Sequence, residues 1–105
     1  MKILFDQGTP APLRKYLPGA QVLTAYEQGW AALSNGNLLA AAESEGFNLL
    51  VTTDKNLRYQ QNLSERSIAI FVLSTTSWPR IRTRVEAIAS TISAMEDGAY
   101  LEFEV

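Results

Sequence analysis

Asn48-Leu49-Leu50-Val51-Thr52-Thr53-Asp54 decides how the chain is read. Its apolar core shows no inside–outside alternation, the pattern of a short strand buried on both faces. It delivers a carboxylate, Asp54, just past its C-terminal end. Lys2-Ile3-Leu4-Phe5-Asp6 repeats the pattern. In open α/β sheets, ligands bind along the edge formed by the C-terminal ends of the strands. If the two strands are neighbours, Asp6 and Asp54 share a crevice there. Two carboxylates about 5 Å apart repel by about 3 kcal/mol at an effective dielectric near 20. The pair therefore needs an offset: a bound cation, a shared proton or a basic partner.

Outward from these runs the elements alternate. Ile68-Ala69-Ile70-Phe71-Val72-Leu73 is an unbroken apolar run rich in β-branched and aromatic residues, and Gln21-Val22-Leu23-Thr24 is a further strand. Thr9-Pro10 predicts an N-cap and a first-turn proline, opening a short helix that carries Leu13, Tyr16 and Leu17 and stops at Pro18-Gly19. Asn35 is expected to cap a helix from Gly36 to Glu45, with Leu38, Leu39 and Ala42 as its buried stripe and Gly46 after its end. Lys55 to Leu63 reads as a short polar helix with a loop. From Pro79 a long helix is expected, with Ile81, Val85, Ile88, Ile92 and Met95 on one face and Asp97-Gly98 at its end. Ala99 to Val105 alternates as a half-buried edge strand does. Alternation of strand and helix implies a mostly parallel sheet with helices on both faces. The expected architecture is a three-layer α/β/α sandwich in one domain spanning residues 1–105.

Composition narrows the chemistry. The net charge of −2 exerts no global pull on nucleic acid or membrane, so any anionic partner must be held by local basic clusters. There is no cysteine and no histidine. Disulfides, thiolate catalysis, the serine–histidine triad and cysteine- or histidine-ligated zinc are thereby excluded. Oxygen ligation remains, which suits Mg²⁺, Mn²⁺ or Ca²⁺. No segment approaches the ~20 apolar residues of a membrane span. The N-terminus has no signal-peptide pattern. The expected location is cytoplasmic, with no membrane partner.

Asp6 and Asp54 are the candidate catalytic and metal-binding pair. Asn37 and Asn56 are candidate further ligands, with Asn35 beside Asn37 at the same helix start, and Glu27 is a candidate third acid. Each has a structural alternative, since aspartate and asparagine also cap helices and turns. Lys55, Arg58, Arg80, Arg82 and Arg84 follow strands that should end on the same edge and are candidates for holding nucleic-acid phosphates. Three arginines near a helix N-terminus oppose its dipole, which points to an anionic partner. Trp30 could stack a nucleobase or cover core. There is no phosphate-cradling glycine loop.

Ile3-Leu4-Phe5-Asp6, the strand ending Val51-Thr52-Thr53-Asp54 and its continuation Lys55-Asn56-Leu57 together resemble the PIN-like superfamily, most nearly its small single-domain bacterial and archaeal members. The tract Asn56 to Leu63 resembles one subgroup of these. The resemblance implies an α/β/α fold and a carboxylate cluster that binds Mg²⁺ or Mn²⁺. It also implies hydrolysis of single-stranded or structured RNA, and several relatives are toxins held by an antitoxin protein. By position, Asp6 is the first acidic ligand and Asp54 a later one. Asn56, and Asn35 or Asn37, stand where relatives carry acids. Fewer negative charges bind a hard cation less tightly, so a weak Mg²⁺ or Mn²⁺ site is expected. Two readings follow: a metal-dependent ribonuclease, or a catalytically weakened module that binds a protein or nucleic-acid partner. Trp78, Tyr100, Phe103 and Val105 could furnish an apolar surface for a homodimer.

Overall fold

The computed structural model describes residues 1–57 and 66–105. Five strands form one sheet: β1 (Lys2–Phe5), β2 (Gln21–Thr24), β3 (Leu49–Thr52), β4 (Ala69–Leu73) and β5 (Tyr100–Phe103). Their order is β2-β1-β3-β4-β5, and every pairing is parallel. The α/β class and the parallel sheet are as the alternation of elements predicted, with β5 at one edge. Arg58, and the helix expected over 55–63 beyond Leu57, fall outside the described residues.

The pleat sorts alternate residues to opposite faces. Ile3 and Phe5 of β1 and Leu49 and Val51 of β3 join one buried cluster with Leu13, Ile81, Ile88 and Ile92. Leu4 and Leu50 join the other, with Leu38, Leu39, Ala42 and Leu57. All of β3 is buried, as its continuous apolar run requires. The first cluster takes the 3₁₀ helix Ala11–Tyr16 and the two α-helices after β4; the second takes the helix between β2 and β3.

That second-cluster helix, α1, runs from Asn35 to Ser44, and its cap is Ser34 rather than Asn35. The Ser34 hydroxyl accepts from the Asn37 N–H at 3.4 Å. Asn35 becomes the first helical residue, and its amide is free to act elsewhere. Thr9 likewise is not a cap. Pro10 occupies that position without a side-chain bond, and the helix that follows is 3₁₀.

The single helix expected from Pro79 is interrupted. α2 (Trp78–Ile81) passes into a 3₁₀ turn, Arg82–Arg84, and α3 runs from Val85 to Ala94. The Thr83 hydroxyl donates to the Arg80 carbonyl at 2.7 Å, competing with the helical ladder. Arg84 leaves helical geometry at φ −121°. Met95 is extended, at ψ 138°, just past the helix, yet packs half-buried against the same first cluster as Ile81, Val85, Ile88 and Ile92. Among the described residues no helix is long and apolar enough to cross a membrane.

Candidate functional site

The sheet order reverses direction between β1 and β3: the chain leaves β1 toward β2 and leaves β3 toward β4. The C-terminal ends at such a reversal open a crevice between diverging connections. Phe5 pairs with Val51, so Asp6 emerges opposite Thr52, and Asp54 lies two residues beyond. Asp6 is in phase with Leu4, and Thr52 with Leu50. Both belong to the face that α1 covers.

Asp6 is buried and accepts three hydrogen bonds. Its Oδ1 takes the Gly8 N–H at 3.1 Å and the Thr9 hydroxyl at 2.7 Å. Its Oδ2 takes the hydroxyl of the buried Thr52. The Thr9 oxygen also lies 2.9 Å from the Val51 carbonyl. The polar side chain that looked like a cap is thus spent on fixing Asp6. Gly8 leaves room beside this network for Thr53: a Cβ there would stand 2.5 Å from Thr53 Oγ1.

Asp54 is half-buried. Its Oδ2 accepts from the side-chain amide of Asn35, and its Oδ1 from the Asn56 N–H at 2.9 Å. The Asp54 N–H donates to Thr52 Oγ1 at 3.0 Å. Thr52 therefore links the two aspartates through one hydroxyl, donating to the first and accepting from the second. The N-terminal turn of α1, reached through Asn35, adds the positive end of a helix dipole near Asp54. Hydroxyl and amide donors of the chain thus solvate both carboxylates.

The other expected ligands are spread along the edge. Asn56 contacts Asp54 through its backbone, and its side chain is exposed, as is that of Asn37. Glu27 sits past β2, beside the 3₁₀ helix. Arg14 grips it in a two-point pair, at 2.7 and 3.2 Å. The Thr24 N–H donates to Glu27 Oε1 at 2.9 Å, and the Glu27 N–H donates to Thr24 Oγ1 at 3.1 Å. This reciprocal pair has the pattern of a capping box, legible in Thr24-x-x-Glu27, but closes a turn after β2 rather than a helix. The Arg14 guanidinium, helped by the Thr24 N–H, holds the Glu27 carboxyl below the usual range. Among the described residues no three His, Cys, Asp or Glu side chains come together in one group.

Lys55, Arg80, Arg82 and Arg84 are all exposed. Arg84 is committed within the chain: it donates to the Glu104 carbonyl at 3.1 Å and lies 4.9 Å from the Phe103 ring centre. Trp30 is half-buried, edge-on to Phe47 at 6.0 Å, and packs on the second cluster. Trp78, Phe103 and Val105 pack against the first cluster and Tyr100 against the second. Arg14 and Thr52 were not expected at the site from the sequence, and Thr9 was expected only as a helix cap. Thr52 carries a readable signal, a hydroxyl ending an otherwise apolar strand, but its partner is set by strand pairing. No protein-family model matches the chain, and no curated protein or solved structure is significantly similar to it.

Proposed function

We propose that the chain is a PIN-like domain acting on RNA at the Asp6–Asp54 edge, as a metal-dependent ribonuclease. One observation carries the reading: the two aspartates leave adjacent parallel strands at the reversal of strand order, where open α/β sheets take their ligands. The donor set there is all oxygen and amide, which fits a hard divalent cation such as Mg²⁺ or Mn²⁺. A carboxylate offers about four lone-pair sites. Asp54 uses two on internal donors and would hold the larger share of the cation, with Asp6 assisting. When bound, the cation supplies charge neutralisation and an activated water. The chain's own residues do the positioning. Thr9, Thr52 and the Gly8 N–H fix Asp6, and Asn35 orients Asp54. Lys55, exposed next to Asp54, offers a cation to the phosphate.

A second reading, a weakened module that binds RNA or an antitoxin-like protein, is favoured by one specific finding. The nearby acid Glu27 is held by Arg14, which leaves two carboxylates at the crevice. The test is cleavage and binding of single-stranded RNA in Mn²⁺ by the wild type and Asp54→Ala. Cleavage abolished by the substitution supports the ribonuclease. RNA binding without cleavage supports the weakened module. If the wild type neither binds nor cleaves the RNA, the RNA role at this edge is overturned.

A further inference from the structure

We propose that the cleft beside Asp6 seats one nucleotide of a single-stranded RNA, its base stacked on the ring of Tyr26. The inference rests on the RNA reading above and names the part of the substrate that the edge grips. The cleft has a volume of about 360 Å³ and is lined by Asp6, Arg14, Thr24, Tyr26 and Glu27. That size falls in the range of small-ligand sites. Because Asp6 forms part of its wall, an RNA strand lying at the aspartates continues directly into it.

Tyr26 is 83% exposed, against 40% for Tyr16. Its carbonyl, by contrast, is hydrogen-bonded, and so is the backbone before and after it. The Ala25 N–H donates to the Phe5 carbonyl at 2.8 Å, the Gln28 N–H to the Thr24 carbonyl at 3.1 Å, and the Gly29 N–H to the Tyr26 carbonyl at 3.0 Å. The reciprocal pair between Thr24 and Glu27 closes the same turn. A ring presented to solvent from a fixed turn is a preorganised platform, so little ordering entropy is lost when a flat partner settles on it. The Arg14–Glu27 ion pair leaves the adjoining wall close to neutral, and the Asp6 carboxylate is sheltered by its donors. A near-neutral wall beside an aromatic face suits an uncharged base better than a phosphate. Stacking on such a face is tolerant of base identity.

The test is fluorescence anisotropy with a labelled short single-stranded RNA, in EDTA and again in Ca²⁺. Tyr26→Ala is expected to weaken binding about tenfold or more, and Tyr26→Phe, which keeps the ring, to stay within about twofold of wild type. The same RNA with abasic nucleotides should bind wild type and Tyr26→Ala equally weakly. Circular dichroism should be unchanged, since the ring is in solvent. Equal binding of the intact RNA by wild type and Tyr26→Ala overturns the subsite, and so does a difference that persists on abasic RNA. If Asp54→Ala abolishes cleavage while binding ignores Tyr26, the subsite alone falls. If the wild type binds no RNA in either condition, the RNA reading and the subsite fall together.

Discussion

Thr52→Val removes one hydroxyl and keeps the shape of a side chain that is 1% exposed. Two groups then lose a partner. Asp6 Oδ2 loses the donor it takes from β3, and the Asp54 N–H loses its acceptor at 3.0 Å. A hydrogen bond to a charged group contributes about 1.5–3 kcal/mol, and a buried N–H left unmade costs about 1–3 kcal/mol. The Asp54 N–H sits at a half-buried edge where water can partly replace the hydroxyl, so the lower part of its range applies. The added methyl gains back under about 1 kcal/mol. The net loss expected at neutral pH is about 2–3 kcal/mol. That is a large share of the roughly 5–15 kcal/mol that holds a domain of this kind. Urea titration followed by circular dichroism measures it. Thr52→Ser is the control: it keeps the hydroxyl and should recover most of the loss. The reasoning fails if Thr52→Val is as stable as wild type, or if Thr52→Ser is as damaged as Thr52→Val.

Two further outcomes are expected. The Glu27 carboxyl is held below its ordinary value of 4.5 by Arg14 and the Thr24 N–H, so its contribution to stability is present above that pH and is lost as pH falls below it. Urea midpoints of wild type and Glu27→Gln should therefore differ most near pH 7 and converge as acid takes the carboxylate below pH 4.5; a gap that widens in acid contradicts the assigned pairing. Gly8→Ala places a methyl 2.5 Å from Thr53 Oγ1 and should cost about 1–3 kcal/mol. In the background of Thr53→Ala the same change should be harmless or mildly stabilising, and a cycle showing simple additivity would mean that the two side chains do not meet.

Much of the frame was legible because it depends on local periodicity. The apolar runs 2–5, 49–51 and 68–73 each became a strand or its flank, and β3 is buried on both faces as its lack of alternation implied. Boundaries that depend on competing polar groups were less legible. Ser34 and Asn35 are both good caps, and Asn35 is drawn to Asp54 once β3 is in place. Thr9 precedes a proline, the usual sign of a cap, yet its hydroxyl is taken by Asp6. The helix after Pro79 keeps its apolar stripe through Ile92 but breaks at Arg82–Arg84, where Thr83 bonds back to the chain and Arg84 turns to β5.

By itself, the sequence determined the class of sheet, the buried strands, the absence of histidine and cysteine chemistry, and the fact that two aspartates follow strand ends. These are matters of composition and of spacing between near neighbours. Only the tertiary structure decided what those aspartates touch. Thr52 reaches Asp6 across 46 residues of sequence and Asn35 reaches Asp54 across 19, because parallel pairing of β1 with β3 and the docking of α1 bring them together. It also decided that Glu27 answers to Arg14 and that Tyr26 stands in solvent beside Asp6. Burial pattern is written along the chain, residue by residue. The partner of a polar group is fixed only when strands that are distant in sequence lie side by side.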